Sequence, residues 1–273
     1  MTGIPPVWLN GKLVPLGAAS LSPLDRGFTL GDGVFETIRA EGTELLWLDD
    51  HLSRLRGGAD VLGIPLAMPE EAIATGLQTL VREGGFAASA LRLTLSRGPS
   101  ERRGLWPPSL PSAPTLLAMT APLAPPRPPL RLAIARETRR NEFSPLSRIK
   151  SLNYGDNILA RREADARGFD DALMLNTGGR IACATVGNLF LRIGGEWRTP
   201  PIGEGVLPGL ARARLLVQLP AREMAIEETD VSRAEAGLIS NSLGVSAIRE
   251  IEGCSLPEAE IKVDFWEIFA ASI

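Results

Sequence analysis

Ala121-Pro122-Leu123-Ala124-Pro125-Pro126-Arg127-Pro128-Pro129 carries five prolines in nine residues. Proline has no backbone N–H and a fixed φ, so such a run neither continues a helix nor sits inside a sheet. It reads as a stiff extended connector. It divides a chain of 273 residues into parts of similar size, 1–120 and 130–273, each long enough to bury a core of its own.

Upstream of the connector, Leu9-Asn-Gly-Lys-Leu13 is an Asn-Gly hairpin signal. Val34 to Ala40 and Leu45 to Leu48 read as strands about the Glu41-Gly42 turn. Asp49 or Asp50 is then expected to cap a helix containing His51, Leu55, Ala59 and Leu62. A second helix is expected from Pro69 to Glu83, and strands at Leu91–Leu95 and Thr115–Thr120. Downstream, Leu130–Ala135 alternates as a half-buried strand and Asn157–Arg167 reads as a helix stopped by Gly168. Ala172–Leu175 and Asn188–Leu191 read as short strands about the Thr177-Gly178-Gly179 turn. A helix follows from Pro208-Gly209, strands return near Leu238 and at Val245–Ile251, and a last helix is expected after Pro257. Many strands with helices grouped between them give two mixed α+β domains.

Composition excludes several chemistries. The 29 basic residues include lysine only at Lys12, Lys150 and Lys262, and the net charge is -3, so no broad polyanion-binding surface is indicated and no nucleic-acid partner is expected. One histidine, His51, removes any site that needs two imidazoles, and no metal is expected. Cys183 and Cys254 lie too far apart for a redox motif, which favours a reducing compartment. Without a signal-like N-terminus or a long apolar run, the expectation is a cytoplasmic protein with no membrane partner.

Lys150 lies in Ser147-Arg-Ile-Lys-Ser-Leu-Asn-Tyr154. If that segment is extended, Arg148, Lys150 and Leu152 share one face. A neighbouring guanidinium and partial burial would both lower the amine pKa, as a Schiff-base lysine requires; the alternative is an exposed lysine at a strand end. Gly203-Glu-Gly-Val-Leu-Pro-Gly-Leu-Ala-Arg212 puts a glycine- and proline-rich turn before a helix, where the amides of Leu210 and Ala211 suit a phosphate or simply begin a helix. His51, beside Asp49 and Asp50 and with no Gly-x-Ser-x-Gly elbow in the chain, reads as structural. Gly27–Gly33 lacks the Gly-Lys-Ser/Thr ending of a Walker loop. On composition alone Arg54, Arg97 and Arg103 read as surface or loop charges.

Taken in order, Leu24-Asp-Arg-Gly-Phe-Thr-Leu-Gly-Asp-Gly-Val-Phe-Glu-Thr-Ile-Arg39, His51-Leu-Ser-Arg-Leu55, Ile149–Tyr154, Gly187-Asn-Leu-Phe190 and Gly205–Arg212 resemble the class IV aminotransferase family, the fold-type-IV enzymes that use pyridoxal 5'-phosphate. The resemblance covers nearly the whole chain. It implies a smaller N-terminal domain and a larger C-terminal one with the cofactor at their interface, and a homodimer whose sites borrow residues across it. Position by position it makes Lys150 the lysine that holds the cofactor covalently and shuttles the proton. Arg54, the amides of Leu210 and Ala211, and Ser242 become phosphate contacts, and Tyr154 a neighbour of the cofactor's phenolic oxygen.

Two positions depart from the family pattern. Threonine is usual where Ala211 stands, so one hydroxyl contact to phosphate is missing. Glutamate is usual where Cys183 stands, and there it pairs with the protonated ring nitrogen and keeps the ring a strong electron sink; a neutral thiol does so less well. Within the family, Ser96-Arg-Gly-Pro-Ser-Glu-Arg-Arg-Gly104 and Gly237-Leu-Ile-Ser-Asn-Ser-Leu-Gly244 resemble aminodeoxychorismate lyase. That implies conversion of 4-amino-4-deoxychorismate to 4-aminobenzoate and pyruvate, a step of folate biosynthesis, with Arg97 or Arg103 on a substrate carboxylate and Phe35 among the substrate contacts. The lyases usually retain the glutamate, so Cys183 does not single one out. Two further readings stand beside it. One is an aminotransferase acting on a D- or branched-chain amino acid. The other, motivated by Cys183 and Ala211, is a binding protein on the same fold with lost catalysis.

Overall fold

Asn10 and Gly11 supply the two successive positive φ values, 47° and 87°, that a tight hairpin needs. They join β1 (Val7–Leu9) to β2 (Lys12–Val14) with Leu9 opposite Lys12. The structure, a computed structural model, describes residues 5–66, 68–101, 104–105 and 113–257. It divides into two compact units: residues 1–124 with Ile149–Asn153, and Pro125–Arg148 with residues 154–273.

The first unit continues with α1 (Arg26–Leu30), β3 (Gly33–Glu41), β4 (Glu44–Leu45), α2 (Leu48–Leu62), α3 (Glu70–Gly84), β5 (Ala88–Ser96) and β6 (Thr115–Pro122). Its six strands form an antiparallel sheet in the order β2-β1-β6-β5-β3-β4. Period-two alternation puts Val34, Ile38, Leu91, Leu93, Leu95, Leu116 and Ala118 into one core with Leu52, Leu55 and Ala59 of α2 and Ile73, Leu77 and Leu80 of α3. The expected strand Leu45–Leu48 stops at Leu45. Trp47 turns into the left-handed region (φ 55°) to start α2, so Asp49 and Asp50 lie in the first turn, where the helix dipole favours them, and not at the cap.

The second unit holds β7 (Leu130–Ile134), α4 (Gly155–Ala166), β8 (Asp171–Leu175), β9 (Ile181–Ala184), β10 (Asn188–Ile193), β11 (Glu196–Thr199), α5 (Leu210–Gln218), β12 (Arg222–Glu223), β13 (Ala234–Asn241), β14 (Gly244–Ile251) and β15 (Cys254–Ser255). The main path of its sheet is β12-β11-β10-β13-β14-β7-β8-β9, with β14, β7 and β8 parallel neighbours. The Thr177–Gly179 turn joins β8 to β9, whereas the sequence pointed from 175 to 188. Ile181-Ala-Cys-Ala184 is buried on both faces, so it has no alternation to announce it as a strand.

The stretch around Lys150 also differs from expectation. Pro145–Arg148 is a turn of 3-10 helix, so Arg148 does not share an extended face with Lys150. Ile149–Asn153 joins the first unit, although the connector lies far upstream. The helix expected after Pro257 falls outside the described residues. Among the described residues no helix is long and apolar enough to cross a membrane.

Gly76 marks the tightest contact of α3 with the sheet. A Cβ there would stand 2.4 Å from the indole of Trp8, which is itself buried in the core. Gly76→Ala gains up to ~1 kcal/mol in helix propensity and loses ~1–3 kcal/mol by overpacking. A lower urea midpoint is therefore expected; an unchanged or higher one would show that the indole gives way.

Candidate active site

β4 pairs with β3 only at Ala40 and Glu41, which leaves the Gly33–Phe35 end of that edge without a neighbouring strand of the sheet. Residues 150–152 occupy it. The Phe35 N–H donates to the Lys150 carbonyl at 2.9 Å, the Leu152 N–H donates to the Gly33 carbonyl at 2.9 Å, and Ser151 bridges Val34. Edge pairing thus delivers Lys150 to the start of β3.

Phe35 and Glu36 point to opposite faces of that strand. On Phe35's face the Lys150 Nζ stands 4.4 Å from the ring centroid, and the guanidinium carbon of Arg92, from β5, stands 3.8 Å from it. Arg92 is opposite Thr37, one diagonal step from Phe35. On the core face, fully buried Glu36 meets α2. Its Oε1 accepts from Arg54 Nε at 2.8 Å, and its Oε2 accepts from Arg54 Nη2 at 2.6 Å and from His51 Nδ1 at 2.7 Å. His51 and Arg54 are one helical turn apart and so share a face.

The charges follow from this packing. Burial alone would raise the Glu36 pKa, but the Arg54 and His51 hydrogen bonds, with the charge of Arg54, outweigh it and bring Glu36 to about 2. Burial lowers His51 against the pull of Glu36, so the ring stays neutral, donates from Nδ1, and leaves Nε2 buried without a hydrogen-bond partner. Burial, then the charges of Arg54 and Arg92 against that of Glu36, bring Lys150 down from 10.5 to about 8. At pH 7 roughly one such amine in ten is neutral, against about one in three thousand at the ordinary value.

Phe35, Arg54 and Lys150 are therefore brought together in the first unit. Arg97 belongs to the same unit but does not join them. Its Nε and Nη2 donate to Asp32 at 2.7 and 3.2 Å, and its Nη1 and Nη2 donate to the Gly63 and Leu62 carbonyls at 2.8 and 2.6 Å. Arg26 also holds Asp32, and the two arginines outweigh burial and lower its pKa. Arg97 is thus a buried clamp between β5 and the end of α2, and not a loop charge presented to solvent. Arg103 lies outside the described residues.

Tyr154, Cys183, Leu210, Ala211 and Ser242 belong to the second unit. Tyr154 precedes α4. Gly209, which has no side chain to serve as a cap, begins α5, and the helix packs on β13. Ser242 lies in the turn after β13, where the Leu243 N–H donates to Asn241 Oδ1 at 2.9 Å. Ser240, on β13, keeps a buried hydroxyl with no partner. Cys183 is buried on β9 opposite Met174, packed with Ala182 and Val206. Burial pushes its thiol up, Arg140 opposes and Asp171 adds to the rise, so the group is a neutral thiol. Among the described residues no cluster of three or more His, Cys, Asp or Glu fits a metal ion.

In the first unit, a weakly basic lysine beside a guanidinium suits an aldehyde that carries negative charge. In the second unit, taken by itself, the first-turn amides of α5 suit a phosphate, and Cys183 is a neutral thiol where the family resemblance leads one to expect a carboxylate. Residues 33–251 match the family described as Amino-transferase class IV. The chain belongs to that family. It is 34% identical over 81% of its length to a Methanocaldococcus jannaschii protein provisionally named branched-chain-amino-acid aminotransferase, covering 76% of that protein. It is 31% identical over 81% of its length to aminodeoxychorismate lyase of Bacillus subtilis, covering 75% of it. The crystal structure of a branched-chain aminotransferase from Thermoproteus uzoniensis superposes with a TM-score of 0.86 at 26% identity, over 95% of this chain and 91% of that one. The mixed α+β fold is that of the family, and the family uses pyridoxal 5'-phosphate.

With only three lysines, the chain suits a direct titration. In the full chain with lysines reductively methylated with 13C, the resonance lost in Lys150→Arg should lose its charge as pH rises through about 8. A midpoint near 10.5 would show that burial does not act on the amine.

Proposed function

We propose that the chain is a lyase of this family, converting 4-amino-4-deoxychorismate to 4-aminobenzoate and pyruvate. The observation that carries the choice is the Asn241-Ser242-Leu243 turn after β13, whose sequence is lyase-like. The Bacillus subtilis relative agrees with it, and the neutral thiol of Cys183 is compatible with it without favouring it. The reaction breaks one C–O bond and removes one ring proton. Aromatisation supplies the driving force, so a weaker electron sink suffices.

Bound pyridoxal phosphate supplies the aldehyde that joins an amine and the ring that accepts electrons. The chain supplies the rest. Lys150 Nζ, neutral in an appreciable fraction near pH 7, would be the residue that holds the cofactor, and it would take the ring proton from the substrate and return a proton to the departing three-carbon unit. Arg54 and the first amides of α5, at Leu210 and Ala211, hold the phosphate, with Ser242 as a further contact. Phe35 gives Lys150 and the substrate ring an apolar wall. By the family resemblance, Tyr154 would neighbour the cofactor's phenolic oxygen and Cys183 would take the place of the group that holds the ring nitrogen. Arg97, already clamped by Asp32 and two carbonyls, is not assigned the substrate carboxylate; Arg103 remains assigned to it. The working unit is proposed to be a cytoplasmic homodimer acting on a small amine.

The second reading is an aminotransferase of a branched-chain or D-amino acid, favoured by the Methanocaldococcus jannaschii relative. The assay supplies aminodeoxychorismate to the cofactor-loaded chain without an amino acceptor, and the lyase reading expects pyruvate release. If no pyruvate forms, and amino acids instead convert the cofactor to its amine form with turnover on an oxoacid, the second reading replaces it. Borohydride reduction followed by peptide mapping should find the cofactor on Lys150; its absence there would favour a binding protein over either enzyme.

Cys183→Glu restores a carboxylate in a site where Arg140 already favours negative charge. It should speed conversion of cofactor to its amine form by about tenfold, ~1.4 kcal/mol in barrier, read by stopped-flow absorbance. No acceleration would show that the thiol does not limit that step.

A further inference from the structure

Glu36 occupies a position that transfer energetics disfavour. It is fully buried in the middle of a core strand, at the place where alternation calls for an apolar side chain between Val34 and Ile38. Its carboxylate is saturated by three hydrogen bonds, two from Arg54 and one from His51. His51 is itself fully buried and spends its Nδ1 proton on Glu36 while Nε2 has no partner. A histidine retained in the core at the cost of an unsatisfied nitrogen serves the carboxylate more than the core.

The charges around Lys150 come from three elements: Glu36 from β3, Arg54 with neutral His51 from α2, and Arg92 from β5. The Lys150 amine thus feels two guanidinium groups and one carboxylate. Without it two guanidinium groups would act unopposed on the amine. The Nε–Nη2 edge of Arg54 is committed to Glu36, which fixes the direction of the rest of the guanidinium.

We propose that Glu36, held by His51, is the positioning residue of this site: it aims Arg54 and supplies the counter-charge that keeps Lys150 basic enough to carry a proton. The inference deepens the reading of Lys150 as the cofactor lysine and rests on it, but it concerns the amine before any cofactor arrives.

The test is the 13C titration of Lys150 in the full chain carrying Glu36→Gln. The amine midpoint is expected to fall below about 8 by on the order of one unit, the size of shift that a neighbouring charge gives. A merely structural Glu36 would leave the midpoint of the folded variant where it was, and that result would overturn the proposal. Removing one partner from a buried ion pair can prevent folding. Glu36→Asp, which keeps the charge and withdraws it by one methylene, then decides: a smaller fall in the same direction supports the proposal, and an unchanged or raised midpoint overturns it. A cofactor mapped to some residue other than Lys150 would sink the proposed function and leave this titration readable.

Discussion

Two backbone hydrogen bonds, from the Phe35 N–H to the Lys150 carbonyl and from the Leu152 N–H to the Gly33 carbonyl, bring the candidate lysine to the other site residues of the first unit. They exist because β4 is too short to cover the edge of β3, so the pairing groups of Gly33–Phe35 would otherwise lack a strand partner. The segment that fills the edge arrives from beyond the proline-rich connector, and it carries a lysine. Sheet completion and site assembly are one event here. A change that shortened or redirected residues 149–153 would remove the amine from Phe35, Glu36 and Arg54 together.

The same strand separates two kinds of environment. Phe35 faces cations, and its ring stabilises them without neutralising them. Glu36 faces the core, where a charge survives only when its hydrogen-bonding capacity is used up. Both groups shift downward, Glu36 to about 2 and Lys150 to about 8. Burial works against both charges: it drives the amine down, while at the carboxylate the Arg54 and His51 hydrogen bonds outweigh it. Arg54 acts in the same direction on each, since it stabilises the carboxylate and repels the ammonium. Strongly shifted titratable groups gathered in one environment are a mark of functional sites.

The main strands and helices were legible because they follow simple periods: alternation in β5, the spacing of α2 and α3, the Asn10-Gly11 turn. β9 was not, because a strand buried on both faces has no period, and with it went the local setting of Cys183. Lys150 stood out through the rarity of lysine and its family-like segment. Glu36 had a signal that composition hides: in Val34-Phe-Glu-Thr-Ile-Arg-Ala40 it falls in phase with the buried residues, where an acid is out of place unless something holds it. Arg97 carried no such signal. Its partners, Asp32 and the Leu62 and Gly63 carbonyls, are distant in sequence, and only the closed fold turns a loop charge into a clamp.

Lysine occurs three times and arginine accounts for the other 26 basic residues. At most positions the exchange costs little. At position 150 it would cost the chemistry, because a guanidinium in this neighbourhood stays protonated and has no lone pair to offer. Arg54 is the converse case: its planar fork spans both oxygens of Glu36, which a single ammonium would not do. Arg54 and Lys150 are thus not interchangeable. One must lose a proton near neutral pH and the other must never lose one; the buried carboxylate anchors the guanidinium and limits, without cancelling, the fall of the amine.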